Sequence, residues 1–188
     1  MALIDLSNRT VRVRIVYAGP AAGGKTTNLR HIASALPANA RGALASIASA
    51  DGRTMLRDDL PLDLGMIAGW HILADLASVP GQPGLDAERA AVLGGVDAVV
   101  FVADSDPARQ QANRESMSEL RTALSKAGEG NAPVVIQVNK QDLPNATSAA
   151  ELTAILGHAY TAIPSVAVNG AGVFEALREA CRLAVARL

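Results

Sequence analysis

The apolar residues of this chain recur with two spacings, and the two alternate along the sequence. Alternation at every second residue, or a short unbroken apolar run, is typical of a strand, whereas three- or four-residue spacing is typical of a helix. Strands are predicted at residues 11–18, 70–76, 98–103 and 134–138. The last two are unbroken runs, as expected of parallel strands that are buried on both faces.

Helices are predicted between and after these strands. One spans residues 26–36 and stops before Pro37, and another begins at Asp106-Pro107, an N-cap followed by a proline in the first turn. The last helix carries an apolar stripe at three- and four-residue spacing, formed by Phe174, Leu177, Cys181, Val185 and Leu188.

The order of these elements predicts the fold class. Strands that alternate with helices indicate an α/β domain with a mostly parallel central sheet and helices on both faces. Residues 37–65 interrupt the alternation, and we interpret them as a long connection with a short strand at 44–47. We expect one domain that spans residues 1–188.

Composition excludes several classes of function. The net charge is −1 and the isoelectric point about 6.3, so no overall field favours nucleic acid or an anionic membrane. No segment has the length of a transmembrane helix, and the first residues lack the pattern of a signal peptide. The single cysteine, Cys181, leaves no internal disulfide and fits a reducing compartment. We therefore expect a cytoplasmic protein.

The first predicted strand runs into Gly19-Pro20-Ala21-Ala22-Gly23-Gly24-Lys25-Thr26, which has the form GxxxxGK[ST] of a phosphate-binding loop. Its glycines let successive backbone amides converge on phosphate oxygens. Lys25 would neutralise the β- and γ-phosphates, and the Thr26 hydroxyl would bind Mg²⁺. The predicted phosphate-binding residues of this segment are Gly19, Ala22, Gly23, Gly24, Lys25, Thr26 and Thr27. The alternative is a glycine-rich turn that matches by chance.

The last predicted strand ends in Asn139-Lys140-Gln141-Asp142, which has the form NKxD. The Asp142 carboxylate can accept hydrogen bonds from the N1 hydrogen and the 2-amino group of guanine, and adenine offers neither. We expect Asn139 to tie this loop to the phosphate loop and the stem of Lys140 to lie along the base plane. The Ala167 amide is a further candidate contact to the base, although Ala167 also fits a plain core position. Without the phosphate loop upstream, this short match would equally fit an ordinary turn.

Lysine usage links the two motifs. The chain has three lysines against fourteen arginines, and two of the three, Lys25 and Lys140, lie inside the motifs. A slim ammonium on an alkyl stem is not interchangeable with a forked guanidinium in a tight backbone cradle. Together the motifs predict a site for GTP or GDP with Mg²⁺.

Two further segments are candidates for sensing the γ-phosphate. The Gly81 amide would meet the γ-phosphate, and the adjacent Gln82 would orient the attacking water. In the long connection, Thr54 would complete the Mg²⁺ shell and Arg53 would spread the transition-state charge. Arg53 and Gln82 are therefore the candidate catalytic residues. For Arg53 and Thr54, a solvated loop is an equally good interpretation.

One group that is usual in GTPases is absent from the sequence. It is an aspartate three residues before the switch glycine, which holds the metal through water, and here that position is Ser78. Asp75 lies three residues earlier in the same strand, so alternation sends it to the opposite face. Asp58 and Asp59 are in reach of the metal from the connection, but solvation in a loop is the more ordinary expectation for both.

With these motifs assembled, the chain resembles the Ras-like small GTPases, and specifically the bacterial MglA-type family. The segments that carry the resemblance are residues 16–29, 60–65, 79–82, 95–105, 135–144 and 172–175. That family also lacks the aspartate before the switch glycine, so Ser78 agrees with the resemblance. The implied fold is a Ras-like P-loop GTPase domain.

The resemblance implies a GTPase of bacterial cell polarity or motility that hydrolyses GTP to GDP with Mg²⁺ and acts as a nucleotide-state switch. Its implied partner is a roadblock/LC7-type activator like MglB, which positions a catalytic arginine and glutamine without inserting an arginine of its own. By position these residues are Arg53 and Gln82. Intrinsic turnover is expected to be slow, on the order of 10⁻⁴ to 10⁻² s⁻¹ before an activator acts.

Two other functions fit parts of the pattern. Ser78, together with the segment around Ala43 to Ala50, which departs from the family pattern, fits a GTP-binding scaffold with little or no hydrolysis. A P-loop ATPase or kinase fits the phosphate loop alone, and it predicts similar affinities for ATP and GTP.

Overall fold

The computed structural model describes residues 3–48, 55–67, 69–80, 86–157 and 160–187. These ranges contain the strands β1 (Leu3–Asp5), β2 (Thr10–Ala18), β3 (Ala45–Ala48), β4 (Met55–Ile67), β5 (Trp70–Ser78), β6 (Ala98–Asp104), β7 (Val134–Asn139) and β8 (Thr161–Pro164). They also contain the helices α1 (Lys25–Ala35), α2 (Asp86–Leu93), α3 (Gln110–Lys126), α4 (Ala149–Leu156) and α5 (Val173–Val185), with short 3₁₀ helices at Ala38–Ala40 and Pro107–Arg109. No helix in the described ranges is long and apolar enough to cross a membrane.

All of these strands belong to one sheet. Their order is β3-β4-β5-β2-β6-β7-β8, and β1 pairs with the first part of β2. The neighbours from β5 through β2, β6 and β7 to β8 are parallel, whereas β1, β3 and β4 pair antiparallel. The sheet is therefore mixed and mostly parallel, as predicted. The loops after β2, β5, β6 and β7 meet at one edge of this sheet, where α/β folds place their ligands.

Helices cover both faces of the sheet. The helices α1 and α5 share one core with the sheet, and α2, α3 and α4 share the other. Every residue of β6 and β7 is buried, which explains why their sequences are almost unbroken apolar runs. The two cores confirm the predicted α/β architecture.

The long connection predicted for residues 37–65 is wrong in its second half. There β4 pairs antiparallel with both β3 and β5. Its alternate side chains Asp58, Leu60 and Leu62 are buried. The two-residue period was present in the sequence, but a carboxylate fills one inward position and Pro61 interrupts the pattern, and both residue types are rare in strands.

The last helix buries a different face from the predicted stripe. Leu177 is buried as predicted, whereas Val185 is 41% exposed. The residues that complete the buried face are Val173, Ala176, Ala180 and Ala184. Alanines let α5 approach the sheet closely, and the larger Phe174 and Cys181 are only partly buried beside it.

Candidate functional site

The phosphate loop joins the end of β2 to the start of α1, and its glycines determine its shape. Gly19 and Gly24 have φ angles of 134° and 109°, which side chains rarely adopt. A Cβ atom on Gly19 would overlap the Val102 carbonyl oxygen, and one on Gly24 would overlap Asn139 Nδ2. Both positions therefore require glycine for the backbone of β6 and the side chain of Asn139 to approach this closely.

Lys25, the first residue of α1, turns its ammonium back into the phosphate loop. Its Nζ donates hydrogen bonds to the carbonyl oxygens of Gly19 and Pro20, both at 2.8 Å. Burial, followed by the positive charge of Arg89, lowers the pKa of Lys25 to about 8, against the opposing effect of the Asp58 charge. A poorly solvated ammonium beside converging amides would be stabilised by an anion. The loop thus has the electrostatics of a phosphate site.

Asn139 connects the NKxD segment to the phosphate loop, as the sequence led us to expect. Its Nδ2 donates to the Gly23 carbonyl oxygen at 2.8 Å, and its Oδ1 accepts from the Ala167 amide at 2.9 Å. One buried side chain therefore ties together the loops after β2, β7 and β8. Because the Ala167 amide is already paired, a base would have to share or displace Asn139 Oδ1 to use it.

A pocket of about 180 Å³ lies between the two motifs. Its lining consists of Ala22, Gly24, Thr27, Asn139, Lys140, Asp142, Leu143, Ala167 and Val168. Lys140 Nζ donates to Asp104 Oδ2 at 2.7 Å, so Asp104 holds the ammonium of a residue that also lines the pocket. Asp142 is exposed, and no donor within the described ranges engages its carboxylate. The structure therefore brings predicted phosphate-loop and base-reading residues to one space, with a free acceptor at its base end.

The loop that carries Asp142 is held by a second set of hydrogen bonds. Gln141 Nε2 donates to Ser105 Oγ at 2.6 Å and to the Thr147 carbonyl oxygen at 2.9 Å. The Gln141 amide donates to the Ser165 carbonyl oxygen at 3.1 Å. These bonds anchor the base-reading segment to the ends of β6 and β8 without any ligand.

Asp104 and Arg109 also support the site, and neither was predicted. Asp104 is 1% exposed at the end of β6 and accepts the hydrogen bond from Lys140. Arg109 donates to the Ala21 carbonyl oxygen at 2.8 Å, and its Nε lies 3.8 Å from Asp104 Oδ2. A carboxylate that closes an apolar strand was the visible signal for Asp104, whereas no sequence pattern marks Arg109.

The hydroxyl of Thr26, the candidate Mg²⁺ ligand, donates to Asp58 Oδ2 at 2.7 Å. Asp58 is 4% exposed, and it also accepts from Ser46 Oγ at 2.7 Å and from Ser78 Oγ at 3.2 Å. The expectation that Asp58 is a solvated loop residue is therefore wrong. Because β4 is a strand, its inward face carries this carboxylate to the phosphate loop.

The other two carboxylates considered for the metal lie elsewhere. Asp59 pairs with Arg57 at 2.9 Å, and its side chain is 31% exposed. Asp75 pairs with Arg12 at 2.9 Å on the surface, on the opposite face of β5 from Ser78, as alternation predicted. Neither belongs to the site.

Four predicted site residues, Arg53, Thr54, Gly81 and Gln82, lie outside the described residues. The segment with Gly81 and Gln82 follows Pro80, whose carbonyl oxygen accepts from Arg89 Nε at 3.1 Å. Pro80, the last described residue before this segment, therefore lies beside a cation whose charge also acts on Lys25.

A larger cavity, of about 730 Å³, lies at the opposite end of β5 from Ser78. Trp70 and Cys181 are among the residues of its mostly apolar wall, and none of the candidate site residues lines it. Because parallel strands begin there, this cavity is remote from the phosphate loop. The smaller pocket is therefore the candidate site.

Comparisons with known proteins agree with this geometry. The model of the ADP-ribosylation factor (Arf) family matches residues 89–182. The chain is 43% identical over 193 residues to the "Mutual gliding-motility protein MglA" of Myxococcus xanthus (strain DK1622), and the alignment covers 100% of this chain and 98% of that protein. These similarities, together with the two nucleotide motifs, show that the chain belongs to the MglA-type family of small Ras-like GTPases.

Proposed function

We propose that this protein binds GTP, hydrolyses it to GDP with Mg²⁺, and signals through the difference between the two nucleotide states. One observation carries the proposal: the free Asp142 carboxylate and the phosphate-loop residues Ala22 and Thr27 line the same pocket. A nucleotide in that pocket would present its base to one end and its phosphates to the other. Membership of a small GTPase family supports the reaction.

At the phosphate end, the backbone from Gly19 to Thr26 would surround the phosphates. Lys25 would exchange its two carbonyl partners for β- and γ-phosphate oxygens. The Thr26 hydroxyl and the carboxylate beside it are the hard oxygen donors that Mg²⁺ prefers, so these residues fit the ion. Bound Mg²⁺ would neutralise charge that develops on the phosphates.

At the base end, Asp142 would accept hydrogen bonds from the N1 hydrogen and the 2-amino group of guanine. Against adenine the carboxylate would face a lone pair, and an unpaired group of this kind is the main source of discrimination in such sites. Lys140 would cover the base plane with its stem, and Asn139 would keep the two ends in register. The Ala167 amide would donate to the base while sharing Asn139 Oδ1.

The hydrolysis step is assigned from sequence position and from the family. Gln82 would orient the attacking water, and the Gly81 amide would contact the γ-phosphate. Arg53 would spread the transition-state charge, and Thr54 would complete the metal shell. Loss of the γ-phosphate would release the contacts of both segments, which is the basis of a switch.

We further propose a role in bacterial cell polarity or motility with a roadblock/LC7-type activator. The support is the 43% identity to a protein named for gliding motility over the full length of the chain. The activator would hold Arg53 and Gln82 in their working positions. Intrinsic turnover without it would be slow, on the order of 10⁻⁴ to 10⁻² s⁻¹.

Single-turnover hydrolysis of GTP, with and without a roadblock-type protein from the same organism, tests the proposal. We expect slow cleavage alone and at least about tenfold faster cleavage with the partner, because ordering the catalytic arginine is worth a large rate factor. Gln82→Ala and Arg53→Ala should remove the stimulation and leave GDP affinity unchanged. Cleavage in neither condition would reject hydrolysis and favour a GTP-binding scaffold, the alternative that Ser78 suggests.

A further inference from the structure

The phosphate loop contains a tight turn with a left-handed residue that is not glycine. The Gly23 amide donates to the Pro20 carbonyl oxygen at 3.1 Å, which closes a β-turn with Ala21 and Ala22 at its centre. Ala22 has a φ angle of 60°, whereas Ala21 is not among the described residues with positive φ. A turn with positive φ at its third residue alone is of type II, and that position ordinarily takes glycine. With alanine there, the backbone is strained.

A less strained turn is open to the same four residues. In a type I turn the third residue has a negative φ, which alanine adopts freely. The two types differ mainly by a rotation of about 150° in the ψ angle of the second residue, which turns over the peptide between the two central residues. The loop therefore needs a contact that holds the peptide between Ala21 and Ala22 in its type II orientation.

Arg109 makes such a contact. It is the last residue of the 3₁₀ helix that follows β6, and its Nη2 donates to the Ala21 carbonyl oxygen at 2.8 Å. This oxygen belongs to the peptide whose orientation separates the two turn types. A guanidinium donor makes the bond charge-assisted, and such bonds are about twice as strong as neutral ones. The bond stabilises the type II turn over the type I turn.

Buried groups keep Arg109 in place. Asn113 is buried and exchanges two hydrogen bonds with the backbone of Asp104, at 3.0 and 2.8 Å, so the first turn of α3 is tied to the end of β6. The Asp104 carboxylate lies 3.8 Å from Arg109 Nε. Asp106 accepts from the Ala108 amide at 2.9 Å and closes the turn before Arg109. The guanidinium therefore extends from a fixed backbone beside a buried negative charge.

The orientation of this peptide determines where the Ala22 amide points. No described peptide is cis, and in a trans peptide the N–H points away from the carbonyl oxygen. The Ala22 N–H therefore points away from Arg109. It donates to no other group in the described part of the chain, and Ala22 lines the nucleotide pocket. Arg109 thus holds the outer end of a peptide whose inner end carries a free donor.

We propose that Arg109 is a positioning residue for phosphate binding, which holds the Ala21 carbonyl so that the Ala22 N–H donates to the β-phosphate of the nucleotide. The inference rests on the proposed function, because it presupposes that phosphates enter this loop. The β-phosphate is the expected acceptor because the neighbouring carbonyls of Gly19 and Pro20 hold Lys25, the cation that serves the β- and γ-phosphates. Polarisation by the guanidinium would also strengthen the N–H as a donor.

The test compares GDP with GMP, which lacks the β-phosphate, in Arg109→Met. This change removes the charge and the donor and keeps an unbranched side chain. Competition against a fluorescent GDP gives both affinities. We expect the affinity for GDP to fall about tenfold and that for GMP to stay within about twofold. Arg109→Lys retains a cationic donor and should recover at least about threefold of the loss. An unchanged ratio of the two affinities in Arg109→Met would overturn the inference.

A merely structural role for Arg109 predicts a different result. If the side chain only fastens α3 to the phosphate loop, Tm would fall and both nucleotides would lose affinity equally. Arg114→Met is the matched control for net charge, because Arg114 is exposed on α3 and donates to Gln111 Oε1 at 3.2 Å. It should leave the ratio unchanged. If the unchanged protein binds GDP no more tightly than GMP, the proposed function itself fails, which is distinguishable from failure at Arg109 alone.

A second variant tests whether Arg109 acts through the turn. Glycine at residue 22 adopts positive φ without strain, so the type II turn no longer depends on the bond to Arg109. Relative to Ala22→Gly, the double variant with Arg109→Met should lose less than about threefold in GDP affinity. A loss of about tenfold in that background would contradict the inference. If Arg109→Met alone does not fold, this double variant decides between the two outcomes.

Discussion

The base end and the metal end of the nucleotide site are held together in different ways. At the base end, Asn139 and Gln141 bond to backbone groups of three other loops, including the Gly23 carbonyl and the Ala167 amide. At the metal end, Thr26 meets Asp58 through a contact between two side chains. The first arrangement fixes loops to the edge of the sheet. The second joins two side chains that would take new partners if a metal ion and phosphates were bound.

The difference indicates where each property of the GTPase resides. The bonds of Asn139 and Gln141 to backbone groups belong to the fold itself, so we expect the base end to be preformed in the folded chain. A hydroxyl and a carboxylate beside the phosphate loop must change partners when metal and phosphates enter. We therefore expect changes at the base end to alter which nucleotide binds, and changes at the metal end to alter how the protein responds to it.

The largest expected effect is on the preference for GTP over ATP, and it follows from a change of Asp142 at the base end. Asp142→Ala should lower the preference for GTP over ATP by up to about 10⁴-fold, because the group that rejects adenine is removed. Competition of GTP and ATP against a fluorescent GDP measures the ratio. The loops around the pocket should remain folded, because no described donor depends on this carboxylate.

Asp142→Asn is the matched control for that experiment. An amide can still accept from the N1 hydrogen, but its NH₂ group opposes the 2-amino group of guanine and suits the 2-carbonyl of xanthine. We expect xanthosine nucleotides to displace guanosine nucleotides as the preferred ligands. A full preference for GTP in both variants would place the specificity somewhere other than Asp142.

The next effect tests whether Asn139 really holds the two ends together. Gly24→Ala combines a φ angle of 109° with a Cβ that overlaps Asn139 Nδ2, so the buried amide must leave the Gly23 carbonyl. We expect a loss of about 2 to 5 kcal/mol in the free energy of unfolding, from backbone strain and unpaired polar groups. Urea unfolding measures this loss, and GDP affinity should fall with it.

Gly128→Ala is the control for backbone strain alone. Gly128 has a φ angle of 76°, and a Cβ there would have no atom within 4 Å. Its cost should be about 1 to 2 kcal/mol, without any change in GDP affinity. Equal costs at Gly24 and Gly128 would mean that the Asn139 bridge contributes nothing measurable.

A smaller effect is expected from pH at the phosphate end. Burial, and then the Arg89 charge, lowers the pKa of Lys25 to about 8 in the nucleotide-free protein. Bound phosphates would keep the ammonium protonated, so binding takes up a proton above that pH. GDP affinity should be level below pH 8 and fall by about tenfold by pH 9. Asp142→Ala should bind more weakly but show the same slope, because its defect is at the other end.

The same depressed pKa has the opposite sign for folding of the nucleotide-free protein. Above pH 8 the folded state releases the Lys25 proton while an unfolded lysine keeps it up to about pH 10.5. The unfolded state then binds more protons, so this group's contribution to the free energy of unfolding rises with pH across that window. Urea unfolding between pH 7 and 9 checks the direction. A fall that Lys25→Met abolishes would contradict it.

The parts of the molecule that sequence predicted are those whose cause is local. Full burial of β6 and β7 leaves only a narrow choice of residues, and the phosphate and NKxD loops are short continuous segments. The helix α4 was missed, although Ser148 and Glu151 form a capping box that is visible in the sequence. The helix α4 was therefore predictable from the sequence, although it was not predicted.

The contact between Asp58 and Thr26 could not be predicted in the same way. The two residues are 32 positions apart, and they meet only because β4 is a strand in one particular register with β5. A shift of one residue would turn Asp58 outward and Asp59 inward. Pairing of distant strands is set by the packing of the whole sheet. The Asn139 contact with Gly23 also joins distant residues, but both of its partners lie in short motifs that the sequence shows, whereas no motif marks Asp58.

The smallest effect is expected at Ala22, which tests how much strain the phosphate loop holds. Ala22 has a φ angle of 60°, and left-handed backbone costs a side-chain-bearing residue about 1 to 2 kcal/mol. Glycine removes this cost but loses about 0.5 to 1 kcal/mol to the greater freedom of the unfolded chain. Ala22→Gly should therefore raise the free energy of unfolding slightly, by up to about 1 kcal/mol. Ala21→Gly, next to it and without a positive φ, should lower it by about 0.5 to 1 kcal/mol. Urea unfolding of the two variants side by side measures the difference, and equal losses would show that residue 22 adopts its left-handed angle without strain.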